Sequence, residues 1–344
     1  MTSTKDTEVM VTGLNLVFKP TENFISSTPL ISCLSEIQPT LALIPLKTVG
    51  GVTKIMPVLP NVDFYPHLIQ SIYQQINSCR CGLSSPLKWQ QKFYELTGIE
   101  VNTSTLHIVK ISFSPTLSPL PTLGRAINAQ CFQWFANANP ALAADLHQQE
   151  SLPFTVAVEY IALKKMQMRI TLLKPELLAP FLWGLNTSLG SEIILADIPC
   201  RLDRQVDIAY ISSFEKLAQL PAQNVIKLHF LSPTSFKQNK HIQPFPLPEL
   251  VFGSLLRRWN KFAPQDLHFP IIDWQGIVSA FEIKTHALKM EGGAEIGAEG
   301  WVKYRFLDSE QARVATILAN FAVFSGVGRK TGMGMGYVKA KFNS

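Results

Sequence analysis

Long apolar runs are missing from this chain. Nowhere in its 344 residues is there an uninterrupted apolar stretch long enough to cross a bilayer. The opening Met1-Thr2-Ser3-Thr4-Lys5-Asp6 does not lead into the apolar core of a secretory signal. The expectation is a cytoplasmic protein with no membrane partner. Cysteine is scarce and scattered, at positions 33, 79, 81, 131 and 200, an odd number that does not suit a disulfide framework. Cys79-Arg80-Cys81 is too tightly spaced for a zinc knuckle, and no second pair follows it. No metal and no other cofactor is therefore expected. Charge is sparse at 16%, whereas 47% of residues are hydrophobic, enough for a sizeable core. Acid is scarcer than base, and the formal net charge is +6. Residues 1–103 hold seven basic and seven acidic side chains, so the whole excess lies in 104–344. That distribution favours an acidic partner such as nucleic acid.

Five of the 19 glycines crowd into one segment near the C-terminus, Gly326-Val327-Gly328-Arg329-Lys330-Thr331-Gly332-Met333-Gly334-Met335-Gly336. Glycine permits positive φ and close backbone approach to a ligand. Successive N–H groups in such a turn attract anions. Arg329, Lys330 and the Thr331 hydroxyl complete a candidate cradle for a phosphate chain. The bland alternative is a flexible hairpin tip.

From residue 105 onward one pattern runs twice. Leu106–Phe113 alternates as a strand, and Gly124 to about Ala136 places Ile127, Cys131, Trp134 and Phe135 on one helical face. A short helix carries Leu142, Leu146 and His147. Strands follow at 153–161 and 166–173, then a helix over 175–189 and a closing strand over 191–198. The second copy has a strand at 225–231, a mobile polar loop at 232–246, and a helix at 248–259. It continues with a hairpin spanning about 278–306 that turns near Gly292 and Gly293, a helix at 309–324, and a last strand at 338–342. The two lysines of that last strand, Lys339 and Lys341, point away from its apolar side. The expected fold class is α+β: two tandem ferredoxin-like (RRM-like) βαββαβ domains, 104–220 and 221–344, behind an N-terminal extension, 1–103. The extension is rich in Pro, Ser and Thr in places and shows no motif, so it is read as an addition of unknown role, with three readings open: a family-specific extension, a partly disordered segment, or a mis-called start upstream of the true gene.

This arrangement resembles the CRISPR-associated endoribonucleases that cleave repeat RNA, family six of the Cas proteins, within the RAMP superfamily. The likeness is carried by the glycine loop after a helix and by three further segments. These are Leu120-Pro121-Thr122-Leu123-Gly124-Arg125-Ala126, the Asn139–His147 block followed by Leu152-Pro153-Phe154-Thr155, and Leu247–Asn260. It covers about residues 105–344. The resemblance implies a metal-independent endoribonuclease that cuts precursor crRNA within its repeats. The ribose 2′-hydroxyl attacks the adjacent phosphate, leaving a 2′,3′-cyclic phosphate and a 5′-hydroxyl. It further implies repeat RNA as partner, Cas effector-complex subunits as possible partners, and a monomer or homodimer.

Such chemistry needs a proton acceptor, a proton donor and positive charge on the phosphate. His147 matches a histidine-bearing position of the family, and histidine titrates near neutrality. Arg125 matches the position of a phosphate clamp. Asn128 stands where related sequences often have a second histidine, and an amide cannot transfer a proton at neutral pH. The expected RNA-binding residues are Gly326, Gly328, Arg329, Lys330, Thr331, Gly332, Gly334 and Gly336, together with Arg257 and Arg258 on the second-domain helix. Lys237 and Lys240, with His241, form a weaker basic group. His107, His229, His268 and His286 are read as structural.

Two other functions compete. A Cas subunit that holds crRNA without cutting is kept open by Asn128. A nucleotide-binding enzyme is disfavoured, because Gly328-Arg329-Lys330-Thr331 leads into a strand, whereas a phosphate-binding P-loop opens a helix.

Overall fold

Three antiparallel units with one strand order build the molecule. The computed structural model describes residues 10–21, 41–48, 53–78, 87–89, 92–117, 123–162, 164–290 and 293–342. The Cys79-Arg80-Cys81 segment, Leu120–Thr122 and Gly292 lie outside them.

The N-terminal unit comprises β1 (Gly13–Thr21), β2 (Ala42–Leu46), β3 (Thr53–Val58), α1 (Tyr65–Ser78), β4 (Leu87–Trp89) and β5 (Lys92–Asn102). Its strands lie in the order β5-β1-β3-β2, all antiparallel, with β4 added outside β5. Fourth, first, third, second is the ferredoxin-like order. The extension is thus a folded unit over its described residues. Its signal is weak in sequence because Pro45 and Pro57 interrupt β2 and β3, where proline argues against a strand.

The second unit contains β6 (Leu106–Pro115), α2 (Leu123–Ala138), α3 (Pro140–Gln148), β7 (Phe154–Ala162), β8 (Lys165–Leu172), α4 (Leu178–Asn186), β9 (Glu192–Leu195) and β10 (Ile198–Ser212). Its order, β10-β6-β8-β7, repeats the scheme. The expected closing strand at 191–198 is only the outer arm of a hairpin. The strand that closes the unit against β6 is β10, reached through Ala196 and Asp197, both at positive φ (49° and 63°). The first two units share one sheet. β2 meets β10 in parallel at Leu46 and Val206, and the Lys47 amide donates to the Val206 carbonyl at 2.7 Å. A single apolar core runs through both, from Leu14 and Tyr65 to Phe135, Phe181 and Val206.

After the short α5 (Phe214–Ala218), the third unit holds β11 (Val225–Thr234), β12 (Phe236–Gln238), β13 (His241–Gln243), α6 (Pro248–Phe262), β14 (Ile277–Met290), β15 (Gly293–Arg305), α7 (Ser309–Ser325) and β16 (Val338–Phe342). Its sheet runs β14-β15-β11-β16, the same order read from the other end. The polar segment expected to be a mobile loop contains the small β12–β13 hairpin.

The open sheet face of the second unit receives the C-terminal end of α7. The last carbonyls of a helix lack intrahelical partners and attract cations and hydroxyls. Here the Arg169 guanidinium donates to the Val323 carbonyl at 2.7 Å and Thr171 Oγ1 to the Phe324 carbonyl at 2.5 Å. Arg169 also lies 4.7 Å above the Tyr337 ring. The Tyr337 hydroxyl donates to Glu159, whose other oxygen is 2.7 Å from Lys110 Nζ. Burial raises the Glu159 pKa, but the hydrogen bonds from Lys110 and Tyr337 outweigh it and hold the carboxyl below its usual range. This buried network fixes the angle between the two units just beneath the glycine loop.

Candidate active site

The N-terminus of α2 and the glycine loop, about two hundred residues apart in sequence, are packed against each other. A Cβ on Gly124 would lie 2.3 Å from the Met333 carbonyl oxygen and 2.9 Å from Gly334 Cα. No residue but glycine fits there without moving one of the two backbones.

The loop is a folded plug more than an open nest. Val327, Arg329, Met333, Met335 and Gly336 each spend their N–H on a backbone carbonyl. Two of those acceptors, Pro233 and Ser235, belong to the segment at the end of β11, so the expected mobile loop serves as the plug's seat. Gly328 has φ +77°, and a Cβ there would meet the Ser235 oxygen at 2.4 Å. Lys330 itself adopts a left-handed conformation, φ 53°. Thr331 and Gly332 are buried. Arg329 and Lys330 converge on Glu295 of β15, at 3.1 and 2.5 Å. The Lys330 hydrogen bond, followed by the charge of Arg329, holds the Glu295 carboxyl below its usual range. Two cations against one carboxylate leave the loop with a positive balance.

Beside this junction lies a cleft of about 650 Å³, walled by Gly124, Arg125, Tyr160, His286, Glu299 and Met333 among others. Arg125 is exposed on the first turn of α2. Ala129 and Phe132 follow it within roughly 60° of the same helical stripe. His147, in the last turn of α3, stacks on Phe132 with ring centroids 3.7 Å apart and planes at 13°. By helical rise, Phe132 lies about 10 Å along α2 from Arg125. One stripe of α2 therefore presents Arg125 at one end, where the cleft opens, and at the other end Phe132, on which the His147 ring of α3 is stacked. Asn139 caps α3 by accepting from the Leu142 amide at 3.1 Å, which fixes the helix that presents His147.

Asn128 faces elsewhere. It is 8% exposed and turned to the underside of the loop; a Cβ on Gly332 would be 3.5 Å from its Nδ2, and that nitrogen has no hydrogen-bond partner among the described residues.

The remaining expectations divide. Arg257 is exposed, and so are Lys237 and Lys240 on the β12–β13 hairpin. Arg258 is not on the open surface. It crosses to the second unit, where it donates to the Leu152 carbonyl at 2.9 Å, and burial pushes its pKa down to about 10. Leu152 in turn lies against Gly332, so Arg258 locks the turn beneath the loop. Among the histidines, His107 is buried against Asn102, and His268 bonds the Ala263 carbonyl at 3.0 Å. His286, read from sequence as structural, lines the cleft with its Nε2 3.8 Å from Glu299. Period-two alternation along the hairpin was the signal that could have placed it there.

Duplicated ferredoxin-like units closed by a glycine plug define the class of fold. Residues 228–338 match the family model of CRISPR-associated endoribonuclease Cas6. The Cas6 endoribonuclease of Mycobacterium tuberculosis is 29% identical over 127 residues, which cover 35% of this chain and 40% of that protein. The match thus spans about 40% of the length of the curated relatives. A solved Cas6 product complex superimposes with a TM-score of 0.62 at 27% identity, covering 69% of this chain and 100% of the other. A histidine-to-alanine mutant of a Cas6 gives 0.54 at 26%, covering 68% and 99%. The chain is thus similar to Cas6 endoribonucleases in sequence over residues 228–338 and in fold over about two thirds of its length.

Proposed function

We propose that the protein is a metal-independent endoribonuclease that binds CRISPR repeat RNA and cuts precursor crRNA within its repeats. The observation that carries this reading is the meeting of the two most specific sequence segments. Gly124-Arg125 and the glycine loop form one wall of an interdomain cleft, and His147 of α3 is stacked on Phe132 of the same α2 stripe. The family and the product complex of a Cas6 relative support the choice of RNA as substrate.

In this reading the 2′-oxygen upstream of the cut attacks phosphorus, and the bond from phosphorus to the 5′-oxygen breaks. His147 takes the proton of the 2′-hydroxyl, and the departing 5′-oxygen takes its proton from water, since the Asn128 amide cannot supply one. Arg125 and the positive balance of the glycine loop stabilise charge building on the non-bridging oxygens, an effect strengthened where water is excluded. The products are a 2′,3′-cyclic phosphate and a 5′-hydroxyl.

Asn128 favours one alternative, a subunit that binds crRNA without cutting, because its amide is buried and cannot act as acid or base at neutral pH. Incubating labelled repeat RNA with the protein in chelator separates the two. Cleavage with a cyclic phosphate end supports the proposal, whereas tight binding with no product supports the subunit.

A further inference from the structure

The sheet of the third unit has a second face, remote in sequence from Arg125 and His147. On β11, Ile226, Leu228 and Phe230 pack inward against the helices, so Lys227 and His229 face the other way. The register carries this face across three strands. His229 pairs with Trp301 on β15 and with Lys339 on β16; Lys227 pairs with Lys303 and Lys341. Arg305 ends the same row of β15, opposite Val225. Two acidic side chains share this face: Glu282 of β14, paired with Trp301, and Glu299 of β15, two residues before Trp301 and paired with Lys284.

Trp301 is held in place. Its Nε1 donates to Glu282 Oε2 at 3.2 Å, and the Lys227 ammonium sits 3.7 Å from its ring centroid. His229 Nε2 has no hydrogen-bond partner among the described residues. Burial, then the charges of Lys227 and Lys341, lower the His229 pKa. Directly paired residues on adjacent antiparallel strands bring their Cβ atoms to about 5 Å. Two flat rings thus stand side by side on the two central strands, within a ring of lysines. The four lysines outnumber the two carboxylates Glu282 and Glu299 on this face, so it keeps a positive balance that favours an anion. Paired rings on the central strands of a four-stranded sheet are the arrangement by which bases are stacked, and cations between them follow the backbone.

We propose that this face binds a single-stranded segment of RNA, with successive bases on Trp301 and His229 and phosphates on Lys303, Lys339 and Lys341. A base would take the place of the Lys227 ammonium over Trp301, freeing that cation for a phosphate. The surface lets the protein grip unpaired RNA flanking the segment held in the cleft, with little sequence preference. The proposal rests on RNA being the substrate class, and it names a site of its own.

The test uses the full chain and a labelled 15-nucleotide oligouridylate in a binding titration, beside cleavage of repeat RNA. Wild type and His147→Ala are expected to bind the oligonucleotide equally. Trp301→Ala is expected to weaken it by about 5- to 100-fold, the range for loss of one stacked base, and Trp301→Phe to restore most of that. Lys339→Gln with Lys341→Gln is expected to flatten the salt dependence. Equal binding by wild type, Trp301→Ala and the double lysine variant overturns the proposal, and so does a face that binds an acidic peptide but not the oligonucleotide. If wild type fails to cut repeat RNA while its oligonucleotide binding still depends on Trp301, the endonuclease reading falls and this site stands.

Discussion

Gly124 and Met333 are in backbone contact, and that contact joins the two halves of the candidate site. It constrains the N-terminal turn of α2, which carries Arg125, and the 331–333 turn of the glycine loop at once. Replacing Gly124 by alanine forces a methyl group into the Met333 carbonyl. Overpacking of this kind costs about 1–3 kcal/mol. A lowered melting temperature, together with at least tenfold slower cleavage of repeat RNA, is the expected outcome for Gly124→Ala.

Arg257 and Arg258 are adjacent in sequence and opposite in role. Arg258→Ala removes the donor to the Leu152 carbonyl and leaves a gap under the loop, so thermal denaturation should show a loss of about 1–3 kcal/mol. Arg257→Ala should leave stability unchanged. If Arg257 contacts a phosphate, its loss should lower the slope of log affinity against log salt by about 0.7–0.9, measured by RNA binding from low to moderate salt.

The N-terminal unit shares its core with the second unit, and its Gly13 is placed so that a Cβ would lie 3.7 Å from Leu178 of α4. A chain beginning at residue 104 would expose that core and the β10 edge. Such a chain is expected to aggregate or to melt well below the intact protein, which size-exclusion chromatography and calorimetry would reveal.

His107 sits where the first two units join. Asn102 Oδ1 accepts from the Ser104 amide, which orients the amide so that its Nδ2 donates to His107 Nε2. The proton of the neutral ring then lies on Nδ1. Burial depresses the pKa from 6.5 to about 3. Below 6.5 the unfolded chain takes up a proton that the folded chain does not bind until about 3. Stability is therefore full above 6.5 and falls as the pH drops through that window, by about 1.4 kcal/mol per unit. Denaturant titrations at pH 7 and pH 5 should differ by roughly 2 kcal/mol more for wild type than for His107→Gln.

The doubled βαββαβ order was legible because alternation in 106–113 and 225–231, and helical periodicity in 124–136 and 309–324, each show one buried face. The helices at 248–262 and 309–325 closely match those expectations. Whatever depends on register or on contacts between units was hidden. β10 was missed because its mixed burial pattern, with charged residues at 201, 203, 204 and 207, masks a strand that joins two units, between β2 and β6. The N-terminal sheet was hidden by its prolines. Arg258 looked like a free basic helix end because the carbonyl it binds lies on another unit. Arg125 and His147 could be named from local sequence; that the His147 ring of α3 stacks on the α2 stripe that carries Arg125 emerged only from its contact with Phe132.

The most direct test of the central claim is single-turnover cleavage of labelled repeat RNA in excess chelator by wild type and His147→Ala, with binding measured in parallel. The account predicts that wild type cuts without divalent metal, and that a 2′-deoxy nucleotide at the cut blocks it. His147→Ala should bind with similar affinity and cut at least a hundredfold more slowly, within the range for loss of proton transfer. Equal rates for the two proteins, or cutting by wild type only when a divalent metal is restored, would contradict it.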